Sequence, residues 1–189
     1  MNDIVVVGLS HKTAPVELRE RCRVKDTAEA LKALRAHADE TAIVQTCNRF
    51  EVYASGVKDP QRLVDWIGAL AQAPREEIAS HCYVRTGRNA CKHLFFVASA
   101  LDSLVVGETQ IRGQVRDAYQ AAADAGAIGP ELHGLFRAAL RLAKEISERT
   151  GVGRGNVSVA GAAADLAEQV FGNLAEARVL VVGAGDTAD

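Results

Sequence analysis

Short apolar runs alternate with helix-like patterns along the first 85 residues of the chain. β-Branched and apolar residues predict strands at 4–9, 42–45, 50–55 and, with weaker patterning, 82–85. Apolar residues at spacings of three and four predict helices at 16–22, 27–38 and 61–72, with Asp26 or Thr27 capping the second helix. The β-α-β-β-α-β order predicts an α+β fold, a ferredoxin-like unit with a small antiparallel sheet and helices on one face.

From residue 89 onward the apolar spacing becomes helical. Three helices are predicted, and Gly126 and Gly151 are placed to end the second and third of them. Their apolar faces are Cys91, Leu94, Phe95, Ala98 and Leu101; Ile111, Val115, Ala118, Tyr119 and Ala122; and Leu135, Ala139, Leu142 and Ile146. Three glycines make 151–156 the predicted linker, and a further helix at 159–171 and an apolar strand at 177–182 follow it.

The predicted strand at 177–182 runs directly into a glycine-rich loop with a G-x-G-x-x-A pattern. The loop consists of Gly183, Ala184, Gly185, Asp186, Thr187 and Ala188. In dinucleotide-binding folds such glycines permit a tight turn against the pyrophosphate, and the next helix supplies amide donors. A simple strand-to-turn end is the alternative. We expect a first domain at 1–150, a linker and connecting helix at 151–176, and the truncated start of a Rossmann-type domain at 177–189.

Composition narrows the class of protein. Hydrophobic residues make up 48% of the 189 residues and charged residues 24%, with a net charge of −2. These values exclude a disordered chain and a strongly basic nucleic-acid-binding domain. No apolar run approaches the roughly 20 residues of a membrane span, and the first residues lack the basic region of a signal peptide. We therefore expect a cytoplasmic protein without membrane contact.

The four cysteines, at positions 22, 47, 82 and 91, contain no C-x-x-C pair. No two of the histidines have the spacing of metal ligands either. The sequence therefore predicts free thiols in a reducing compartment, with no metal site and no disulfide framework.

Cys47 is the first candidate for chemistry, because it lies in the predicted turn between two strands, flanked by the polar residues Thr46 and Asn48. A thiolate is a strong nucleophile, and the positive charge of Arg49 in the same turn would favour that ionised form. The alternative is that Cys47 is a small buried apolar side chain, as free cysteines commonly are.

His93 and the polar segment after it are further candidates. His93 lies two positions from the core-facing Cys91, so we expect it off that face, either as an acid or base in a cleft or as an ordinary surface or capping residue. The polar side chains of the segment suit the ammonium and carboxylate of an amino-acid substrate, and they suit helix capping equally well. They are Asp102, Ser103, Glu108, Thr109, Gln110 and Gln114.

A basic stripe is predicted on the third of the later helices. Arg137, Arg141 and Lys144 share one helix face, since they are spaced by four and three residues. Such a stripe suits a phosphate backbone, and it is also typical of a solvated helix face.

Several long motifs occur in a fixed order along the chain. They are GLSHKTAP at 8–15 with LRE at 18–20, TCNRFEVY at 46–53, HLFFVASALDSLVVGETQIRGQ at 93–114, and the glycine loop that begins at Gly183. In this combination and spacing the chain resembles the glutamyl-tRNA reductases, the family that opens the five-carbon route to tetrapyrroles. The resemblance runs from Gly8 to Ala188.

The resemblance implies a reaction in two steps. Cys47 would attack the ester that joins glutamate to its tRNA, releasing the tRNA and leaving a thioester on the enzyme. A hydride from NADPH would then reduce the thioester to glutamate-1-semialdehyde. Glutamyl-tRNA, a second copy of the chain in a homodimer and the downstream semialdehyde aminomutase are the partners that the resemblance implies.

The resemblance also assigns roles to residues. Thr46, Asn48 and Arg49 would hold the glutamyl group, with the planar fork of Arg49 suited to bidentate pairing with its side-chain carboxylate. His93 matches a position for acid–base or polarising work, and the loop at 183–188 matches the NADPH-binding loop. Further substrate-contacting positions are matched by Ser103, Glu108, Thr109, Gln110 and Gln114.

Members of the family are more than twice as long as this chain. We therefore expect the chain to hold the catalytic domain and only the first strand and glycine loop of the NADPH domain. One alternative is a truncated, non-reducing fragment that binds glutamyl-tRNA or acts only as a slow esterase. Another is an unrelated cysteine-dependent acyl transferase, which would leave the glycine loop unexplained.

Overall fold

The computed structural model describes residues 4–104, 107–108, 110–150, 152, 159–174, 177–178 and 180. Thr109, the glycine loop at 183–188, most of the predicted linker and half of the predicted last strand lie outside the described residues. Four strands are β1 Val5–Ser10, β2 Glu40–Gln45, β3 Arg49–Ser55 and β4 Tyr83–Thr86. Eight helices are α1 Val16–Arg21, α2 Thr27–Leu34, α3 Gln61–Ala71, α4 Arg75–His81, α5 Gly87–Ala98, α6 Gln110–Asp124, α7 Pro130–Arg149 and α8 Val159–Phe171.

The strands form one antiparallel sheet in the order β2-β3-β1-β4. Val7 at the middle of the sheet lies opposite Val52 of β3 on one side and Val84 of β4 on the other. Two helices precede β2 and two precede β4, so each crossover carries a helix pair. The second pair includes α4, which the apolar pattern did not predict because Ile78 is its one buried residue.

Helices cover both faces of this sheet, and the prediction for the first 85 residues did not include the second layer. Along β3, Phe50 points to one face and stacks on Trp66 of α3, with 6.5 Å between the ring centroids. Tyr53 points to the other face and meets the ring of Phe136 of α7 edge-on at 5.6 Å. The later helices supply this second layer, and every residue of β1 and β3 is buried between the two layers.

Caps fix where several helices begin and end. Asp26 Oδ1 accepts a 3.0 Å hydrogen bond from the Glu29 amide, which confirms the predicted cap of α2. The predicted end of α6 is also confirmed, since Gly126 follows the helix with a φ of +59°, a left-handed conformation that glycine adopts without strain.

Helix α7 buries a different stripe from the predicted one. Leu142 is 36% exposed, whereas the buried side chains are Leu132, Leu135, Phe136, Ala139 and Ala143. Phe136 meets Tyr53 of the sheet on the buried side of this helix, whereas Leu142 lies toward solvent. None of the helices in the described part of the chain has the length and apolar character needed to cross a bilayer.

Candidate active site

Cys47 lies at the tip of the hairpin between β2 and β3, and its backbone is held from both sides. Thr46 Oγ1 accepts hydrogen bonds from the amides of Asn48, at 3.0 Å, and Arg49, at 3.2 Å. The His11 amide donates to the Asn48 carbonyl at 2.8 Å, and the Arg19 guanidinium donates to the Cys47 carbonyl. These contacts fix the turn while the Cys47 side chain stays exposed.

A small cavity lies beside the thiol. Its volume is about 10 Å³, which is about the space of a single water molecule. Residues from the hairpin, from the segment after α5 and from α6 line it together: Thr46, Cys47, Asn48, Arg49, Ser103, Glu108, Ile111 and Gln114. Seven of these eight are residues that the sequence selected as catalytic or substrate-binding.

Two of the remaining candidates do not line this cavity. Gln110 is exposed at the first position of α6. His93 contacts other residues, described below, and Thr109 lies outside the described residues.

The Arg49 side chain is buried and fully engaged within the protein. Its Nη1 donates to Glu51 Oε1 at 2.7 Å, and Nη1 and Nη2 both lie 3.2 Å from Asp102 Oδ2. Nη2 also donates to the Asp102 backbone carbonyl at 2.6 Å. Arg49 therefore lines the cavity. Its guanidinium binds Asp102 and Glu51, however, and not a substrate carboxylate as predicted.

Glu51 is the fully buried centre of a polar network behind the cavity. Besides Arg49, it accepts hydrogen bonds from Tyr53 Oη and His93 Nε2, each at 2.8 Å, and from Tyr83 Oη. Burial by itself would raise the pKa of Glu51, but the Arg49 charge and the hydrogen bonds of His93 and Tyr83 hold that pKa well below its usual range. Glu51 is therefore ionised and acts only as an acceptor.

The two tyrosines of this network are held in the protonated form. Burial raises the pKa of Tyr53 and of Tyr83, and the neighbouring Glu51 charge raises both further. Each hydroxyl therefore serves as a donor to Glu51, which satisfies a carboxylate that has no access to water.

His93 is buried between α5 and the sheet, with 8% of its surface exposed. Its ring meets Tyr83 edge-on at 5.3 Å while Nε2 donates to Glu51. The alternative of an ordinary surface histidine is therefore wrong. Among the described residues, His93 connects to the Cys47 cavity through Glu51 and Arg49, and it borders a separate open cleft with Arg85, Asn89, Lys92, Phe96 and Asp102.

The loop after β1 adds charged residues that the sequence analysis did not assign to the site. Lys12 forms an ion pair with Asp102. Burial opposes ionisation of Asp102, but the Lys12 hydrogen bond and the Arg49 charge hold its pKa below the ordinary value. Burial, together with the charges of Arg49 and Lys12, lowers the pKa of His11, so this imidazole is neutral at pH 7.

The sequence contains a signal for the burial of Glu51, which was predicted only as a member of the motif at 46–53. In β3 the apolar residues Phe50 and Val52 occupy one face and Tyr53 occupies the face of Glu51, so both faces are apolar and a carboxylate there needs a buried cation. Arg49, two residues away and therefore on the same strand face, is the nearest cation in sequence.

The other three cysteines are less exposed than Cys47. Burial raises the pKa of Cys22 to about 11 and that of Cys82 to about 12, and it also raises the pKa of Cys91. Cys47 is the exposed thiol among the four, all of which are free. The alternative of a buried Cys47 is therefore wrong.

Comparisons with known proteins identify the family of the chain. The family model for the glutamyl-tRNAGlu reductase N-terminal domain matches residues 7–150. A glutamyl-tRNA reductase of Deinococcus radiodurans is 45% identical over 99% of this chain and 53% of its own length, and one of Pseudoalteromonas translucida is 41% identical over 98% and 46%. The chain spans about half the length of the curated relatives it matches.

A solved structure, the glutamyl-tRNA reductase from Methanopyrus kandleri, matches with a TM-score of 0.73 and 37% identity over 89% of this chain and 40% of that one. The sequence and structural matches therefore select the same proteins. Because the family model covers residues 7–150 and the relatives span nearly all of this sequence, the chain belongs to the glutamyl-tRNA reductase family.

Proposed function

We propose that the protein converts glutamyl-tRNA to glutamate-1-semialdehyde by way of a thioester on Cys47. The observation that carries the proposal is the cavity, which joins an exposed thiol to polar side chains from two other segments of the chain. A reactive nucleophile beside a closely bounded polar pocket is the arrangement that an acyl transfer requires.

In the first step the Cys47 sulfur attacks the carbonyl carbon of the glutamyl ester. A carbon–sulfur bond forms, the carbon–oxygen bond to the tRNA breaks, and the thiol proton ends on the released tRNA hydroxyl. The amides and hydroxyls of Thr46, Asn48, Ser103 and Gln114 supply hydrogen bonds around the glutamyl group.

Charge complementarity orients the glutamyl group in the cavity. Glu108 is the carboxylate of the lining and suits the substrate ammonium, whereas Arg49 is its cation and suits the substrate carboxylate. Asp102 now occupies the Arg49 fork, so a substrate carboxylate has to compete with Asp102 for it. A glutamyl group is also larger than the present cavity, so binding has to move one wall, and release of the lining residue Arg49 from Asp102 would allow such a movement.

The second step needs a hydride donor. NADPH supplies the hydride when it is bound, and we assign the cofactor's pyrophosphate to the loop Gly183, Ala184, Gly185, Asp186, Thr187 and Ala188 from its sequence pattern. His93 takes the part of a positioning residue, because its hydrogen bond fixes Glu51, and Glu51 in turn fixes Arg49 at the cavity.

Three finer assignments belong to the same proposal. We assign 1–150 to the catalytic domain, 151–176 to a linker and connecting helix, and 177–189 to the NADPH domain. The strand order and antiparallel pairing support a ferredoxin-like class for the sheet. The family resemblance supports a homodimeric cytoplasmic enzyme that passes its product to a semialdehyde aminomutase.

The test is the transfer of labelled glutamate from glutamyl-tRNA to the 189-residue chain. We expect a protein-bound label that hydroxylamine removes, present in the wild type and in Cys82→Ala and absent in Cys47→Ala. Equal labelling of Cys47→Ala would refute the assignment of the nucleophile. Adding NADPH separates the two outcomes of the second step, since a reductase yields semialdehyde and the slow esterase yields only free glutamate.

A further inference from the structure

A groove lined by basic residues runs along α6 and α7, which pack against each other. One part lies between the two helices, lined by Arg112 and Arg116 of α6 and by Lys144 of α7. The other part continues along α7 beside Arg137 and Arg141, and Leu140 borders both parts. We call this surface, defined by those five cationic residues, the basic groove.

The charge of the basic groove is poorly neutralised. All five cationic side chains are exposed, and Glu148 is the carboxylate that lines the groove with them. Lys144 lies 3.7 Å from Glu148, and Arg116 lies 3.5 Å from Asp117. Within the described part of the chain, Arg137 and Arg141 form no ion pair within 4.0 Å.

Two glycines in the lining of the basic groove are unexplained by internal packing. Gly113 and Gly134 lie inside α6 and α7, where glycine weakens a helix relative to alanine. A Cβ atom built on either residue meets no atom within 4 Å. Their lack of a side chain leaves the helix backbones open to close approach from outside, between the cationic side chains.

The basic groove and the Cys47 cavity are linked by shared lining residues. Arg112 also lines a small cavity that it shares with Glu108, and Glu108 in turn lines the cavity beside the Cys47 thiol. Two shared lining residues, Arg112 and Glu108, thus place the Arg112 end of the groove next to the side of the protein that holds Cys47.

We propose that the basic groove binds the sugar-phosphate backbone of the tRNA whose acylated end reaches Cys47. The inference rests on the proposed function, because it names where the rest of that substrate lies. Exposed arginines at intervals of about one helical turn suit consecutive phosphates, and such contacts position an RNA without reading its bases. Because the whole chain has a net charge of −2, this excess of positive charge is a property of the groove and not of the protein surface in general.

The experiment measures binding of unacylated glutamate-specific tRNA to the 189-residue chain by fluorescence anisotropy at 50 to 200 mM KCl. In Arg137→Gln/Arg141→Gln, we expect affinity at 100 mM KCl to fall about tenfold and the slope of log K against log [KCl] to become shallower by about 2. The matched control is Arg62→Gln/Arg75→Gln, which removes two exposed charges from α3 and α4, and it should bind as the wild type does.

An unchanged salt slope in the groove variant would overturn the proposal. A difference in molecular mass in solution between the groove variant and the wild type, at equal concentration, would also overturn it. The groove would then be an interface between two copies of the chain. The use of unacylated tRNA keeps the result independent of Cys47. A normal slope change without any glutamyl transfer would support the groove while refuting the proposed function.

Discussion

Arg49 and Glu51 lie two residues apart on β3 and join their side chains at 2.7 Å inside the protein. Both are almost completely buried, and both point to the sheet face that α5 covers. The ion pair links the site to the buried network. Arg49 borders the Cys47 cavity, and Glu51 accepts hydrogen bonds from His93, Tyr53 and Tyr83. The stability of the fold and the shape of the site therefore depend on the same ion pair.

Replacing Glu51 by glutamine should destabilise the protein strongly. The variant leaves the Arg49 charge buried without its main partner, and it replaces one acceptor oxygen with an NH₂ donor that faces other donors. We expect a loss of about 3 kcal/mol in the free energy of unfolding, measured by urea denaturation at pH 7. The control Asp65→Asn breaks the exposed pair with Arg75 and should change stability by less than about 0.5 kcal/mol. A loss in Glu51→Gln no larger than in this control would contradict the result.

Stability should also fall in acid, and Glu51 should cause much of the fall. Its pKa is depressed in the folded state, so below pH 4.5, its ordinary value, the unfolded chain binds a proton that the native protein excludes. The stabilisation is complete above that pH and is lost as the pH falls, with a slope of at most about 1.4 kcal/mol per pH unit for this group. Urea midpoints between pH 5 and 3 should fall more steeply in the wild type than in Glu51→Gln. Parallel curves would show that another carboxylate controls the effect.

Cys47 should be the first cysteine to react with iodoacetamide at pH 7. It is exposed, whereas burial raises the pKa of Cys22 and Cys82 and shields Cys22 and Cys91 from reagent. Site-resolved mass spectrometry over time should show Cys47 labelled well before the other three, in the native protein but not in denaturant. Labelling of Cys82 at the same rate in the native protein would count against the assignment of the nucleophile.

His93 should tolerate a substitution that keeps its hydrogen bond. In His93→Gln the side-chain amide still has a donor for Glu51, whereas His93→Leu removes it. We expect glutamyl transfer to Cys47 within about tenfold of the wild type in the first variant and a loss of about a hundredfold or more in the second. Equal losses in both variants, with a changed pH profile, would instead make His93 a direct acid or base.

The strands and most helices were predictable because local patterning decides them. Apolar runs found all four strands to within two residues, and Asp26 capped α2 as expected. Patterning predicted the later helices but not that they cover the second face of the sheet, because the contact of Tyr53 with Phe136 joins residues 83 positions apart. The apolar pattern of a segment predicts which of its faces is buried, but not which other segment covers the second face of a sheet.

The sequence predicted which residues form the site better than it predicted which contacts they make. The motifs selected Cys47, Ser103, Glu108 and Gln114, which the cavity brings together. They did not predict that Asp102 occupies the Arg49 fork, because that contact depends on how the segment after α5 folds over the hairpin. A side chain's type limits what it can bind, but the surrounding chain decides which partner it meets.

Alanine at the two open glycines should stabilise the protein, and the contrast with a third glycine makes the expectation specific. Gly113 and Gly134 lie in helix interiors with free space where a Cβ would go, so Gly113→Ala and Gly134→Ala should each raise the free energy of unfolding by about 0.5 to 1 kcal/mol. Gly8 is the opposite case, because a Cβ there would lie 2.5 Å from the Phe50 carbonyl oxygen across the sheet, and Gly8→Ala should destabilise. Urea denaturation of the three variants measures all of these changes. If neither helix variant raised the free energy of unfolding, the two glycines would be needed for packing within the free protein. The idea that they leave room for a ligand backbone would then lose its support.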